Sequence, residues 1–342
     1  MAENITWLPI HPVPSSSPAI HIDVWIESLT VTSCILSAIG SILIILTFII
    51  WRDLRTKTRE LLVYLSVTTF FVSVSYAYGI IEDFHSNPMG CTVQSAITTF
   101  SETSSFFWTV AIAMYLYALV AQSSQVVMNR LVWLFHFVCW GVPLITVIVA
   151  VSFGALGYDD SYTSVGWCWV DLDVKHRIMW MLLVGKMWEI ASYFILPLLY
   201  ILIKRKFKRF VSDQNQVTVI SNQGLVTTVT LKIDVKLTFI PIVFLVLHIW
   251  STVRFVLTVY DCNAVSNPIL ILLHGIGNSF QGAANCIMFC LCNNKIRHRC
   301  KRACRRLTRG CCTMKCCQRR TRNDDSTGIV NTNTDNAFHQ QP

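Results

Sequence analysis

An all-α membrane protein built as a seven-transmembrane helix bundle is the fold class that this sequence predicts. Of its 342 residues, 53% are hydrophobic and only 14% are charged, whereas soluble domains carry about 25% charged residues. Seven apolar runs also reach or exceed the ~20 residues that cross ~30 Å of hydrocarbon. A soluble enzyme with this composition would lack the polar residues needed to cover its surface, so that class is excluded.

The seven runs follow one another along the chain with short polar segments between them. They cover about 27–50, 61–81, 92–120, 131–155, 178–203, 235–259 and 268–291. No Lys or Arg occurs in the first 26 residues and four prolines interrupt them, so no cleavable signal peptide is expected.

Lys and Arg are distributed unequally between the two sets of connecting segments. The first, third and fifth loops and the tail hold 24 of them, whereas the N-terminal segment and the remaining loops hold 2. Because positively charged loops stay in the cytoplasm, the N-terminus is predicted to be extracellular and the C-terminus cytoplasmic. The net charge of +9 then belongs to a cytoplasmic surface facing anionic membrane lipid, and nothing indicates nucleic-acid binding.

This orientation divides the chain into three parts. Residues 1–26 form a short extracellular segment, in which Asn4 begins the glycosylation sequon Asn-Ile-Thr. Residues 27–291 form the bundle, and residues 292–342 form a cytoplasmic tail rich in Cys and Arg, which we expect to be disordered from about residue 323.

Cysteines in the basic part of the tail suggest lipidation. They are crowded among arginines rather than arranged in the spaced pairs of a zinc site, so S-palmitoylation of a helix over 293–309 on the inner leaflet is favoured. The alternative is a disordered basic tail. The candidates are Cys300, Cys304, Cys311 and Cys312.

Two further cysteines lie on the predicted oxidising side of the membrane. Cys91 stands at the outer mouth of the third span, and Cys168 stands in the long outer loop within "VGWCWVD". Their location predicts a disulfide, which would hold this loop over the mouth of the bundle. The alternative is two free thiols.

Ionisable residues inside the apolar runs form a candidate ligand-binding pocket. Such residues are rare in membranes and face the bundle interior or a water-filled cavity. At ~1.5 Å per helical residue, five of them fall in the outer half of the membrane. They are Glu102, Lys186, Glu189, Arg254 and His274. Lys186 and Glu189 share a helix face, so they form either an ion pair that fixes helix packing or part of a network that a ligand disturbs.

The last apolar run carries amides at helical spacing among small residues. They are Asn278, Gln281 and Asn285. Small residues allow close helix approach and amides hydrogen-bond across helices. Two interpretations remain open here: simple packing, or a polar contact that rearranges when the protein switches state.

Local sequence strings add a resemblance to a known family. The strings "SSFFWTVAIAMYLY" in the third run, "CWGVP" in the fourth, "VGWCW" in the outer loop and "SFQG" in the seventh are similar to the secretin-like and cyclic-AMP-receptor-like branch of the G-protein-coupled receptors. The likeness covers about residues 27–292. The chain differs from secretin-like hormone receptors at Ile112, where they carry a glutamate, and from rhodopsin-like receptors in lacking Asp-Arg-Tyr after the third span.

The resemblance implies a multi-pass plasma-membrane receptor that passes an extracellular signal to heterotrimeric G proteins. It further implies the Gq class, acting through phospholipase C and calcium, and a ciliary membrane location. No enzyme activity, cofactor or metal is expected. The extracellular ligand is unknown, and the partly charged pocket favours a small polar molecule. The G-protein contacts are expected among basic residues at the cytoplasmic helix ends, namely Arg52, Arg55, Lys57, Lys204, Arg205, Lys232 and Lys236.

Two other functional classes fit parts of the pattern. A transporter or ion-conducting protein would use the charged residues as a relay, but the inner halves of the spans carry no carboxylate, so such a relay would stop midway. A zinc hydrolase would use the three span histidines, which lie at different depths and lack the i, i+4 pairing common in metal sites. They are His136, His248 and His274.

Overall fold

The computed structural model describes most of the chain from residue 22 onward. The described residues are 22–82, 84, 88–159, 164–220, 240–260, 263–291, 296, 299 and 302. The chain divides into two units, Met1–Cys290 and Leu291–Pro342. Of the predicted tail helix over 293–309, only Ile296, Arg299 and Arg302 are described, and each is helical. The other predictions for the tail, and those for Asn4, Lys232 and Lys236, lie outside the described residues.

Helices make up most of the first unit. In chain order they are α1 (Val24–Ile50), α2 (Lys57–Ile81), α3 (Pro88–Val120), α4 (Gln125–Ser152), α5 (Arg177–Met181), α6 (Met187–Ile220), α7 (Ile240–Val259), α8 (Pro268–Ser279) and α9 (Gln281–Cys286). A π turn at Leu182–Lys186 joins α5 to α6, and another at Ile287–Leu291 follows α9. Between α4 and α5, strands β1 (Leu156–Gly157) and β2 (Trp169–Val170) pair antiparallel.

Six helices within the described ranges are long and apolar enough to cross a membrane. They are α1, α2, α3, α4, the combined segment Arg177–Lys206 and α7. Helix α8 is apolar but shorter, and α9 and a π turn continue it. This confirms the predicted helical membrane bundle.

Several helices begin earlier than the apolar runs predicted, because polar residues form their first turns. The side chain of Thr56 accepts a hydrogen bond from the Arg59 amide (3.3 Å) at the start of α2. Ser124 likewise accepts from the Val127 amide (3.4 Å) at the start of α4. Such N-caps satisfy amides that have no partner inside the helix, so the helix starts before its apolar residues do.

Three helix ends also differ from the predicted runs. Helix α4 ends at Ser152, because Gly154 adopts a φ of 62° and turns the chain toward β1. Helix α6 continues to Ile220, beyond the predicted end at 203, because a helix does not need apolar residues once it leaves the membrane. The seventh run is interrupted at Phe280, where the hydroxyl of Ser37 accepts the Gly282 amide (2.9 Å) in place of a helical carbonyl.

Helix α1 has small polar residues inward and large apolar residues outward. Its buried face carries Thr30, Ser33, Ser37 and Ser41. Ser33 accepts a hydrogen bond from Ser279 of α8 (2.7 Å). Large apolar residues such as Ile35, Leu36, Ile39 and Leu43 are exposed. This arrangement suits a bundle surrounded by lipid, where helices associate through small residues and hydrogen bonds.

Gly277 permits the close approach of α8 to α7. A Cβ atom added at Gly277 would overlap the backbone carbonyl oxygen of Leu247, which cannot move without shifting α7. We expect Gly277→Ala to destabilise the bundle by about 1–3 kcal/mol through overpacking, measured as a lower midpoint of thermal unfolding in detergent. The matched control is Gly141→Ala in α4, where an added Cβ meets nothing within 4 Å. Equal midpoints for the two variants would contradict this account.

Candidate functional site

A disulfide fixes the loop between α4 and α5 to the start of α3. Cys91 and Cys168 are bonded, with their Cα atoms 5.5 Å apart. The Cys168 amide also donates to the side-chain oxygen of Gln94 (3.0 Å), one turn further along α3. The adjoining hairpin extends this attachment, since Leu156 pairs with Val170. We call this end of the bundle the disulfide end.

Two tryptophans of this loop cover the centre of the disulfide end. The ring of Trp167 lies 4.0 Å from that of Tyr76 and 5.8 Å from that of His274, measured between centroids. The Lys186 ammonium lies 5.7 Å from the centre of the Trp169 ring, a favourable cation–π distance. We call these two side chains the tryptophan roof.

Beneath the roof, a buried ion pair joins α6 to α7. The Lys186 Nζ lies 2.7 Å from Glu189 Oε2, and the two side chains are only 7% and 1% exposed. Lys186 also donates to the Ser251 hydroxyl of α7. The other carboxylate oxygen of Glu189 accepts from Tyr193 (2.6 Å) and from Thr252 of α7 (2.7 Å). Each charge therefore has several polar partners.

A π turn brings Lys186 into this position. The widened turn covers Leu182–Lys186, and the Thr103 hydroxyl of α3 donates to the Val184 carbonyl (3.0 Å) within it. Single π turns inside helices are rare and occur often at functional sites. This one links α3 to the helix that carries the ion pair.

A second polar chain crosses from α7 through α8 to α3. The Arg254 guanidinium donates to the Ser164 carbonyl of the loop and lies 3.3 Å from His274 Nδ1. The Asn278 amide nitrogen lies 3.3 Å from His274 Nε2 and 3.2 Å from Glu102 Oε1. Because a neutral imidazole accepts at only one nitrogen, His274 accepts from either Arg254 or Asn278, but not from both.

Most of these side chains line one small cavity. Its lining comprises Tyr76, Glu102, Phe106, Trp167, Trp169, Gly185, Lys186, Glu189, Ser251, His274 and Asn278. About 20 Å³ of the cavity can hold the centre of a water molecule, which is room for about one water. The structure therefore brings together the five predicted polar residues. Four line the cavity, and Arg254 joins them through His274.

The three predicted amides of the last helical segment occupy different environments. Only Asn278 joins the cavity. The Gln281 side chain donates to Thr109 of α3 (3.5 Å), and Asn285 is buried, with its amide nitrogen lacking a hydrogen-bond partner among the described residues. Asn278 and Gln281 thus both contact α3.

The basic residues at the opposite end of the bundle have unequal surroundings. Arg55 donates to the Phe48 and Ile49 carbonyls at 2.9 Å and 2.6 Å, so its guanidinium caps the end of α1. Lys57 pairs with Glu60 at 3.0 Å. Arg52, Lys204 and Arg205 are exposed. Capping makes Arg55 a structural residue, a role that the sequence did not indicate.

The span histidines occupy three separate environments. His136 packs edge-on against Tyr64 and Trp108, with centroids 4.7 Å and 5.3 Å away. His248 stacks on Phe244 at 4.4 Å, and His274 belongs to the second polar chain. Among the described residues, no group of three His, Cys, Asp or Glu side chains could hold a metal ion. The zinc-hydrolase alternative therefore gains no support.

A helical membrane bundle whose buried polar cluster is closed by a disulfide-held loop has the organisation of a transmembrane receptor. The chain belongs to the family described as 7 transmembrane receptor (Secretin family), which matches residues 24–284. It is similar to G-protein coupled receptor 157 of the mouse (Mus musculus), with 44% identity over 84% of this chain and 88% of that protein. The human (Homo sapiens) protein of the same name is 45% identical over 80% of this chain and 82% of its own length.

A more distant relative carries the name of the cyclic-AMP-receptor-like proteins, which the sequence strings also resemble. Cyclic AMP receptor-like protein A of Dictyostelium discoideum is 26% identical over 42% of this chain and 37% of its own length. These comparisons confirm the family resemblance and make the chain a receptor rather than an enzyme. They do not favour the transporter alternative.

Proposed function

We propose that this protein is a seven-span receptor that transmits an extracellular signal to heterotrimeric G proteins. Its family membership is the observation that carries this proposal. The seventh span would comprise α8, α9 and the π turn, because residues 268–291 rise by roughly 36 Å at 1.5 Å per residue, enough to cross the hydrocarbon. The disulfide end would face outward, as the distribution of Lys and Arg predicts.

The closed cavity is the proposed site of ligand action. It is lined by ammonium, carboxylate and imidazole groups, so a small polar ligand carrying its own charge would find partners of both signs. Because the cavity holds about one water, such a ligand must displace the tryptophan roof or break existing polar contacts. Binding would therefore favour a different arrangement of the helices by population shift.

Helix α7 is the element through which this change would travel. It contacts α6 through Ser251 and Thr252, and it contacts α8 through Arg254 and His274. If these contacts are replaced by contacts to a bound ligand, α7 can move relative to α3 and α6. Such movement would open a groove for a G protein at the end opposite the disulfide.

The finer assignments belong to the same proposal. The family resemblance supports the Gq class, phospholipase C and calcium as the signalling route, and the plasma membrane, including that of the cilium, as the location. Glycosylation at Asn4 and palmitoylation of the tail cysteines follow from the sequence patterns.

A panel of G-protein dissociation assays on the unliganded receptor tests the function directly. We expect dissociation of at least one heterotrimer, with Gq first, either without ligand or on addition of ligand libraries, and a reduced signal in Cys168→Ala, whose loop is no longer tethered. A calcium response that depends on phospholipase C would confirm the Gq assignment. Absence of coupling to any G protein, even with ligand libraries, would overturn the proposal.

Charge reversal at the end of α6 tests the proposed G-protein surface. We expect Lys204→Glu combined with Arg205→Glu to lower G-protein dissociation about tenfold, because charge reversal at two exposed cations would remove their electrostatic complementarity to the partner. Arg130→Glu is the matched control, since Arg130 is also exposed and lies on the same predicted side of the membrane. Surface expression should be unchanged in both variants, and an equal loss of coupling in Arg130→Glu would argue against a specific surface.

A further inference from the structure

The cavity beneath the tryptophan roof has more negative than positive groups in its lining. Two carboxylates, those of Glu102 and Glu189, line it together with one ammonium, that of Lys186. His274, which also lines it, is a neutral ring in this arrangement, because both of its nitrogens face hydrogen-bond donors. A protonated ring would donate at both nitrogens and would repel these donors. The lining therefore carries one carboxylate more than it carries cations.

Glu102 is the carboxylate that lacks a cation. Lys186 is paired with Glu189 at 2.7 Å, so its charge is already engaged. The hydrogen-bonding neighbours of Glu102 are uncharged, namely the Asn278 amide nitrogen at 3.2 Å and the Tyr76 hydroxyl. The described part of the chain provides no ion pair to it. Because a carboxylate removed from water is costly without a compensating charge, a cation arriving from outside would stabilise Glu102.

A second oxygen beside Glu102 lacks a partner. The Asn278 side chain is 5% exposed and lines the cavity, yet its carbonyl oxygen Oδ1 has no hydrogen-bond donor among the described residues. Its nitrogen must be the atom that faces Glu102, because an ionised carboxylate only accepts. The oxygen is therefore left for another donor, and such buried acceptors without a partner are rare. Glu102 and Asn278 thus offer two acceptors at the same edge of the cavity.

We infer that this edge of the cavity is a binding site for the ammonium group of a small organic ligand, an inference that rests on the receptor function proposed above. An ammonium group combines a positive charge with several donors, so it can satisfy the Glu102 carboxylate and the Asn278 oxygen together. It is about the size of the one water for which the cavity has room. Lys186 does not fill this role, because Glu189 holds its ammonium.

Aromatic rings next to these acceptors favour a ligand whose ammonium is attached to an apolar body. The rings of Tyr76 and Trp167 both line the cavity, with centroids 4.0 Å apart, and aromatic faces attract cations within about 6 Å. The closed cavity has no room for the rest of the ligand, which would take the place of Trp167 over Tyr76 and His274. An aromatic body would replace those ring contacts. The ligand class is therefore an arylalkylamine rather than an anion.

Thermal unfolding of the purified full-length receptor in detergent tests this inference. The probes share one skeleton: 2-phenylethylamine carries an ammonium at neutral pH, 2-phenylethanol carries a hydroxyl in its place, and phenylacetate carries a carboxylate. At about 1–10 mM, the range in which so small a ligand is expected to bind, we expect the amine alone to raise the unfolding midpoint, and to do so saturably. This comparison requires no substitution in the protein.

Glu102→Gln tests whether this carboxylate is the binding group. The glutamine can still accept from Asn278, so the variant should fold. Its affinity for the amine should fall about tenfold, because a charge-assisted hydrogen bond is lost. Glu60→Gln is the matched control, since Glu60 also accepts from a neighbouring tyrosine, Tyr64 (3.1 Å), but lies in the first turn of α2 at the opposite end of the bundle. Its affinity for the amine should be unchanged.

Each alternative has its own outcome. An equal midpoint shift from 2-phenylethanol, a larger one from phenylacetate or no shift from the amine would overturn the inference. So would an equal shift from sodium chloride, which would assign the site to an inorganic cation, or an unchanged amine affinity in folded Glu102→Gln. Amine binding without dissociation of any heterotrimer would keep the ammonium site and contradict the proposed receptor function. Dissociation of a heterotrimer without amine binding would do the reverse.

Discussion

Neutralising Lys186 alone, as in Lys186→Met, is expected to remove most of the receptor from the cell surface. The substitution leaves the Glu189 carboxylate buried beside Tyr193 and Thr252 without its cation. Breaking one member of a buried ion pair costs about 3–5 kcal/mol, because the remaining charge is uncompensated. Glu189→Leu should act similarly by leaving the ammonium unpaired. Surface expression and thermal unfolding in detergent measure the effect.

The double variants determine whether the pair fixes helix packing. Lys186→Met combined with Glu189→Gln carries no net buried charge, and the glutamine can still accept from Tyr193 and Thr252, so expression should recover. The charge swap should recover part of it, since Ser251 and Thr252 are positioned for the native order. Normal expression of the single variants with lost signalling would instead identify the pair as a ligand contact.

The chain supplies its own matched control for this experiment. Lys57 and Glu60 have the same i, i+3 spacing and a similar distance of 3.0 Å, but their side chains are 58% and 29% exposed. Exposed pairs contribute about 0–1 kcal/mol, so Lys57→Met should change stability little. If Lys186→Met proves as harmless as Lys57→Met, the buried pair has no structural role.

Loss of the disulfide is the second change for which we expect a large effect. The bond joins residues 77 apart in sequence, and removing such a link from a folded protein costs about 2–5 kcal/mol. In this receptor it would also release the loop that carries Trp167 and Trp169. We expect Cys91→Ala and Cys168→Ala to lower the unfolding midpoint and to reduce both basal and ligand-driven G-protein dissociation.

Comparison of single and double variants distinguishes the effect of losing the disulfide bond from the effect of losing each cysteine side chain. The double variant Cys91→Ala/Cys168→Ala should be no worse than either single variant, because each one already breaks the bond. Cys139→Ala is the control, since Cys139 is a buried free cysteine in α4 and its truncation creates only a small cavity. Additive losses, or losses no larger than that of Cys139→Ala, would contradict the proposed tether.

Two physical effects make the helix bundle and the charged members of the polar cluster predictable from the sequence. Apolar runs reveal helices because lipid requires them, and charges within such runs are so costly that their presence marks an interior site. Tyr76, Ser251 and Thr252 were missed because uncharged hydroxyl residues are common in spans and carry no such signal. Trp167 could have been suggested by "VGWCW", since this string places two aromatic rings beside a tethered cysteine.

Other features depend on contacts between residues that are far apart in the sequence, so a local sequence pattern cannot reveal them. The π turn that ends at Lys186 involves a contact between Val184 and Thr103 on another helix. The interruption at Phe280 depends on Ser37 of α1, which lies far away in the sequence. The capping role of Arg55 could not be predicted either, because a capping arginine looks like any other arginine until the end of the preceding helix is located.

The contacts of His274 have a consequence for the resting receptor. Its ring lies between two donors, Arg254 and Asn278, and a neutral imidazole can satisfy only one of them in each tautomer. Two protonation isomers are therefore available to the unliganded protein, and they differ in whether the ring accepts from Arg254 of α7 or from Asn278 of α8. A ligand that forms a hydrogen bond with either ring nitrogen would select one isomer. This selection requires no movement of charge across the membrane.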